Sequence, residues 1–178
     1  GTNEEALDAE AQQAAEVLMA AGALDAVLAD TPAKERSIWE VRRCLGEAVK
    51  KSARHVECDT SVPPADVPAL FRGVREIAAR HGVREVSYGH AGDGNVHVNL
   101  LGTHADADVD RRALAQAAED VFRFATDLGG TITGEHGVGC VQSRFLSLCR
   151  DDVAVASMRA IKHALDPRGL LNPGKIFV

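Results

Sequence analysis

Two histidines and one carboxylate are the side chains of this sequence best suited to binding a metal ion and doing chemistry with it. His90 and His97 flank a glycine-rich turn, and Glu135 follows in the segment GEHGVG at residues 134–139. Two imidazoles and one carboxylate leave a coordination position open, which is typical of catalytic rather than structural metal sites. A histidine side chain in water titrates near neutrality, so His136 is a candidate general base.

The two histidines of this set must be positioned by two short strands and the turn between them. The Asp-Gly pair at residues 93–94, flanked by alternating apolar and polar side chains, predicts a two-residue hairpin turn. His90 then pairs with His97, and a four-residue loop at residues 92–95 keeps this pairing. Tyr88 pairs with Asn99, and paired residues point to one face of the hairpin. The opposite face is predicted to enter a core through Val96, Val98 and Leu100.

Helices and further strands surround the hairpin in the predicted order. Helical spacing of apolar residues and the chain breakers predict helices at residues 4–21, 32–51, 65–80, 106–128, 142–148 and 152–165, and strands at 26–29, 55–59 and 131–133. Strands that alternate with long helices, together with a hairpin, favour an α+β fold. We expect a ferredoxin-like sandwich, with a mainly antiparallel sheet and helices packed on one face.

The composition limits the classes of partner. The 178 residues carry 20 basic and 26 acidic side chains, a net charge of -6 that argues against a nucleic-acid surface. No apolar run approaches the roughly 20 residues that span a bilayer. The four cysteines show no CxxC spacing, which favours free thiols in a reducing, cytoplasmic setting. The chain opens on a helix start without an initiator Met, which suggests part of a longer protein.

From residue types alone, each candidate also has an ordinary structural explanation. Histidines with this spacing are more often surface or core residues than ligands, and His136 could simply occupy a turn. Arg42, one turn from Trp39, is suited to clamping a carboxylate or to facing solvent as a plain charge. Asn99 is suited to a substrate contact or to an exposed strand position. Neither GxGxxG nor GxxxxGK[ST] occurs, so we do not expect this chain alone to hold a dinucleotide.

Three segments together resemble a known family. Residues 89–97, 134–139 and 165–175 are similar, in sequence and order, to the C-terminal domain of the FAD-linked oxidases. That family is of the vanillyl-alcohol oxidase type and includes the glycolate oxidase flavin subunit, D-lactate dehydrogenases and D-2-hydroxyglutarate dehydrogenase. The resemblance implies that residues 1–178 form a C-terminal substrate or cap domain, while an absent N-terminal domain makes most of the contacts to FAD. It also implies that the first strand of the sheet is missing, which would leave an unpaired edge and favour pairing with another chain or with another copy, as in a homo-oligomer.

The resemblance assigns roles to individual residues. His90, His97 and Glu135 resemble the ligands of a divalent metal, for which zinc, manganese and iron are all suitable. His136 resembles the catalytic base. The remaining assignments are Asn99 as a catalytic substrate contact, Arg42 and Tyr88 as substrate-binding residues with Arg42 anchoring the carboxylate, and Asn172 as the residue that approaches the flavin.

Three positions depart from the pattern of the relatives. Gln142 stands where many of them carry Lys, and Gly46 and Glu57 stand where D-2-hydroxyglutarate dehydrogenase carries Thr and Lys. The loss of a cation at Glu57 argues against a dicarboxylate substrate. We therefore expect a small 2-hydroxy acid such as D-lactate or glycolate, oxidised to a 2-oxo acid with hydride transfer to FAD. The isolated chain is expected to be inactive, and the resemblance allows peripheral attachment at the inner face of a membrane.

Two other classes of function stay open at this point. A free-standing metal hydrolase could use His90, His97 and Glu135 to activate water. A non-catalytic ferredoxin-like interaction module would carry the same histidines for structural reasons.

Overall fold

The chain divides into two compact units in a computed structural model that describes residues 3–90 and 92–177. The units are Gly1–Ala48 and Val49–Val178. Ala91, in the predicted hairpin turn, lies outside the described residues, as do the first two residues and the last.

The first unit is helical. Helix α1 is Glu4–Ala20, and helix α2 is Pro32–Ser52. The side chain of Asn3 caps α1 by accepting the Ala6 N–H at 2.8 Å. The strand predicted at residues 26–29 is wrong, because these residues form neither a strand nor a bridge. A four-residue apolar run with no strand beside it has nothing to complete its backbone hydrogen bonds.

The second unit is an antiparallel sheet with two long helices. Its elements, in chain order, are β1 His55–Ser61, α3 Val67–His81, β2 Arg84–His90, β3 Asn95–Leu101 and α4 Ala107–Asp127. Both strand pairs are antiparallel, and β3 lies between β1 and β2. Of the strand predicted at residues 131–133, Thr131 alone pairs, in an isolated bridge to Ser61. The order β-α-β-β-α with this bridge outside β1 confirms the predicted ferredoxin-like α+β class.

One face of the sheet forms the core with α3 and α4. Buried apolar side chains from both helices and from β3 pack in one cluster. They include Leu70 and Val74 of α3, Val121 and Phe122 of α4, and Val96, Val98 and Leu100 of β3. Burying a side chain of this kind contributes about 1.5–3 kcal/mol. The core therefore fixes β3 in place and leaves its other face to the polar residues.

The hairpin has a different register from the predicted one. Tyr88 lies opposite His97, and His90 lies opposite Asn95, so the predicted pairing is wrong by two residues. The loop has four residues because Gly94, at φ 76°, donates its N–H to the His90 carbonyl at 3.1 Å. A Cβ at Gly94 would lie 1.9 Å from the Val62 carbonyl oxygen. Since side chains alternate with a period of two, this shift keeps every side chain on its predicted face.

The remaining described elements of the second unit are two further helices and two 3-10 turns. Helix α5 is Leu146–Cys149 and helix α6 is Asp152–Leu165, while single 3-10 turns occupy Pro64–Asp66 and Ser143–Phe145. Among the described residues, no helix combines the length and apolar character needed to cross a membrane.

Candidate active site

The polar face of β3 carries the centre of the site. All seven residues of this strand are buried, although the sequence predicted burial for its apolar face alone. Asn95, His97 and Asn99 alternate along the strand and share the polar face. Burial of a polar group costs free energy unless the group finds a partner, so the groups that cover this face decide its stability.

The three predicted metal ligands come together on this face. His97 Nε2 lies 3.2 Å from Glu135 Oε1, and the rings of His90 and His97 have centroids 5.9 Å apart. One ligand atom from each of His90, His97 and Glu135 lies within 4.8 Å of the others. His90 reaches His97 as a diagonal neighbour across the strand pair, which explains why the two histidines lie close together although the predicted register is wrong.

His136 and Tyr88 flank the same histidine. The His136 ring stacks on the His97 ring with centroids 5.1 Å apart, and His136 Nε2 lies 3.8 Å from Glu135 Oε1. About half of the His136 side chain is exposed, at 49%, so a small molecule can reach it. The Tyr88 ring lies 5.8 Å from the His97 ring, directly opposite it in the sheet.

Asp59 of β1 organises the site and was not identified from the sequence. Its side chain is fully buried, and its Oδ2 accepts hydrogen bonds from the backbone N–H groups of Gly134, Glu135 and His136 at 2.9, 3.0 and 2.8 Å. The Thr133 hydroxyl donates to the same oxygen at 2.8 Å. One carboxylate thus fixes the backbone that carries both the candidate ligand and the candidate base.

The charge on Asp59 is held by these bonds. Burial by itself raises the pKa of this carboxyl group, but the hydrogen bonds from His136, Asn95, Thr133 and Glu135 outweigh burial and lower the pKa below its ordinary value. The folded-state pKa lies below the unfolded one, so this stabilisation is present at neutral pH and is lost as the pH falls through the folded-state pKa.

Gly134 permits the close approach of the loop to the sheet. A Cβ at this position would lie 1.9 Å from Asn95 Nδ2, which itself donates to Asp59 Oδ1 at 2.8 Å. No side chain larger than hydrogen fits there without moving the loop. This glycine therefore makes room for Asn95.

Asn99 lies deeper on the same face. It is fully buried between Glu57 of β1 and Val86 of β2, and neither of its side-chain amide atoms has a hydrogen-bond partner among the described residues. A buried amide without partners is rare and costs free energy, so this group requires an explanation.

Two predicted residues belong to other parts of the chain. Arg42 belongs to the first unit, where its guanidinium lies 5.4 Å from the centre of the Trp39 ring. Asn172 follows α6, has φ 47°, and lines an open groove of about 480 Å³ with several basic side chains, among them Lys162 and Lys175. The hydrogen bond from Lys162, with those from two backbone N–H groups, lowers the pKa of Asp166 to about 2 and keeps this turn closed at neutral pH.

Comparisons with known proteins identify the family and agree with the fold. The family model "FAD linked oxidases, C-terminal domain" matches residues 1–176. The chain is 36% identical to the D-lactate dehydrogenase of Anaerostipes hadrus, over 99% of this chain and 37% of that protein. It is 34% identical to the glycolate oxidase subunit GlcD of Bacillus subtilis, over 86% of this chain and 33% of that one.

Further comparisons agree. The D-2-hydroxyglutarate dehydrogenase of Stutzerimonas stutzeri is 32% identical over 86% of this chain and 34% of its own length. A solved structure, the 4-ethylphenol oxidase from Gulosibacter chungangensis, matches with a TM-score of 0.51 and 21% identity, over 72% of this chain and 25% of that one, and so supports the fold.

The curated relatives are therefore about three times as long as this chain, which covers between 33% and 37% of their length. The resemblance inferred from three short segments is confirmed by a match over nearly the whole chain. This chain belongs to the family of C-terminal domains of FAD-linked oxidases.

Proposed function

We propose that this chain is the substrate domain of a flavin-dependent dehydrogenase or oxidase that converts a small 2-hydroxy acid, D-lactate or glycolate, to the 2-oxo acid. The observation that carries this proposal is the convergence of His90, His97 and Glu135 beside His136 on one face of the sheet. Relatives named D-lactate dehydrogenase and glycolate oxidase subunit support the substrate class.

The donor set fits a divalent metal. Two imidazole nitrogens and one carboxylate oxygen, mutually within 4.8 Å, suit zinc, manganese or iron(II). We assign His90, His97 and Glu135 as the ligands. When bound, such an ion lowers the pKa of a coordinated hydroxyl group and so makes its proton easier to remove.

His136 is the group that we assign to take this proton. The half-exposed imidazole accepts the substrate hydroxyl proton at one ring nitrogen, and Glu135 Oε1 lies 3.8 Å from His136 Nε2. The stacked His97 ring and the hydrogen bond from the His136 backbone to Asp59 hold the base in place.

Three other residues are assigned to the substrate. Asn99 has unused donor and acceptor atoms, and because it is buried, an overlying side chain must move before it contacts a ligand. Tyr88 flanks His97 and has a phenol group that can hydrogen-bond. Arg42 is assigned to the substrate carboxylate on the basis of the family resemblance.

The flavin is assigned mainly to another part of a longer protein. When bound, FAD would supply the acceptor for the hydride that leaves the substrate carbon. The length of the relatives supports an FAD-binding domain outside this chain, and we assign Asn172, in its groove with basic side chains, to the surface that meets the cofactor.

The absence of a cation at position 57 favours a monocarboxylate. Glu57 lies beside His97 on the polar face, with its Oε1 3.5 Å from His97 Nδ1. A second substrate carboxylate placed here would meet like charge, which disfavours a dicarboxylate such as 2-hydroxyglutarate.

A metal titration of this chain tests the assignment of the ligands. We expect the wild-type chain to bind one Zn²⁺ or Mn²⁺, and His90→Ala to bind about 100-fold more weakly, because one of three ligands is gone. His104→Ala, which removes a histidine outside the cluster, should bind as the wild type does. Isothermal titration with metal analysis of the dialysed protein measures both. Equal binding by wild type and His90→Ala, or none by the wild type, would contradict the assignment.

A further inference from the structure

One ring nitrogen at the centre of the site has no hydrogen-bond partner among the described residues. His97 Nδ1 is buried and faces two carboxylates, with Glu57 Oε1 at 3.5 Å and Asp59 Oδ1 at 4.0 Å. We propose that Glu57 is a positioning residue, which accepts the Nδ1 proton of His97 and thereby presents the Nε2 lone pair to the metal. This inference rests on the proposed function of the site.

Glu57 is better placed for this task than Asp59. Both oxygens of Asp59 already accept hydrogen bonds, Oδ1 from Asn95 and Oδ2 from Thr133 and the following backbone. Glu57 Oε1 is the carboxylate oxygen nearest to His97 Nδ1, while its Oε2 lies 3.7 Å from Lys50 Nζ. Lys50 thus holds one oxygen of Glu57 as the other faces the histidine.

The chemistry of imidazole then fixes the roles of the two ring nitrogens. A neutral imidazole has one donor nitrogen and one acceptor nitrogen, and a carboxylate can only accept. A proton on Nδ1 satisfies Glu57 and leaves the lone pair on Nε2, which lies 3.2 Å from Glu135 Oε1, on the ligand side. Carboxylates that orient metal-binding histidines in this way strengthen metal binding by about 10–100-fold.

A direct ligand role for Glu57 is the competing explanation. Glu57, His97 and His136 also offer ligand atoms within 4.8 Å of one another. However, Glu57 faces Nδ1 of His97, whereas Glu135 faces Nε2. Because the neutral ring has a single lone pair, His97 cannot serve both sets at once. If His90, His97 and Glu135 are the ligands, the lone pair of His97 is on Nε2, and Glu57 is then the acceptor for the proton on Nδ1.

Zn²⁺ titrations of the chain with Glu57→Ala and Glu57→Gln separate these explanations. Glu57→Ala should bind Zn²⁺ about 10–100-fold more weakly than wild type. Glu57→Gln keeps an acceptor oxygen and should bind nearly as well as wild type. Glu85→Ala, which removes a half-buried strand glutamate on the opposite face, is the matched control and should bind like wild type. Wild-type affinity in Glu57→Ala overturns the proposal, and so does a Glu57→Gln variant as weak as Glu57→Ala.

Nitrogen-15 NMR of the histidine rings gives a second readout that a merely structural role would not move. The His97 Nδ1 proton should be visible and protected from solvent exchange in wild type and Glu57→Gln, and should exchange rapidly in Glu57→Ala. If the wild-type chain binds no Zn²⁺, the proposed metal function fails, and the zinc-free spectrum still decides this inference. A proton on Nδ1 of His97 then supports it, and a proton on Nε2 overturns it.

Discussion

Turnover by the full-length protein that contains these residues should fall by about 10²–10⁴-fold when His136 is replaced by glutamine. A positioned general base usually contributes this much to the rate. Glutamine keeps a polar side chain of similar reach but cannot take up a proton. His136 stacks on His97 but is not one of the three assigned metal ligands, so the metal affinity of this variant should stay near the wild-type value. Anaerobic stopped-flow reduction of the flavin measures the first effect, and a metal titration measures the second.

The control for this variant is His104→Gln, a histidine outside the cluster, which should retain wild-type turnover. If His136→Gln loses metal as completely as His90→Ala does, then His136 is a ligand, and its assignment as the base is wrong. Retention of full turnover by His136→Gln would contradict the same assignment directly.

Asp59→Ala should destabilise the chain by about 3–5 kcal/mol, because several buried donors lose a charged acceptor at once. The Asn95 amide would lose its acceptor Oδ1, and the Thr133 hydroxyl and three backbone N–H groups would lose the Oδ2 that they share. The loop that carries Glu135 and His136 would then lose its anchor, so metal binding should weaken as well. Urea unfolding, read as a lower midpoint at constant slope, measures the change in stability.

Asp106→Ala is the matched control for this measurement. The Asp106 side chain also accepts two backbone N–H groups, those of Asp108 and Val109, but it caps α4 at the surface. Removing such a cap costs about 1 kcal/mol. A loss at Asp59 no larger than the loss at Asp106 would show that the buried network does not hold the loop.

The grouping of the site residues could be predicted from the sequence, although the register of the hairpin could not. The alternation of side chains places His97 and Asn99 on one face of the second strand. An even shift in register keeps that face beside His90 and Tyr88 of the first strand. The position of the turn depends on Val62, since its N–H donates to the Gly94 carbonyl at 3.1 Å. That contact is distant in sequence, so local turn preferences centred the loop one residue too far along the chain.

Asp59 was missed for a related reason. In the sequence it is one residue of a predicted strand, and its partners at residues 133–136 lie more than 70 positions away. The available signal was a carboxylate inside a strand, since aspartate is disfavoured there unless something binds it. The central position of β3 also depends on β1, and no local pattern reports which strands become neighbours.

The helices were predicted more closely because their signals are local. Helix α6 spans Asp152–Leu165, as predicted, with Asp151 as its cap. The bounds of α4, Ala107–Asp127, differ from the prediction by one residue at each end. The short segment at residues 131–133 forms a single bridge instead of a strand, since a strand needs a partner along its length as well as the right side chains.

The most direct test of the proposed function is the visible spectrum of the full-length protein under anaerobic conditions. D-lactate, glycolate and D-2-hydroxyglutarate are added in turn, to the untreated protein and to a sample treated with a metal chelator. We predict a yellow protein that D-lactate or glycolate bleaches, that D-2-hydroxyglutarate leaves unchanged, and that stays yellow with every acid after chelation. A colourless protein, or a yellow one that neither D-lactate nor glycolate bleaches, would contradict the assignment as a 2-hydroxy acid oxidoreductase.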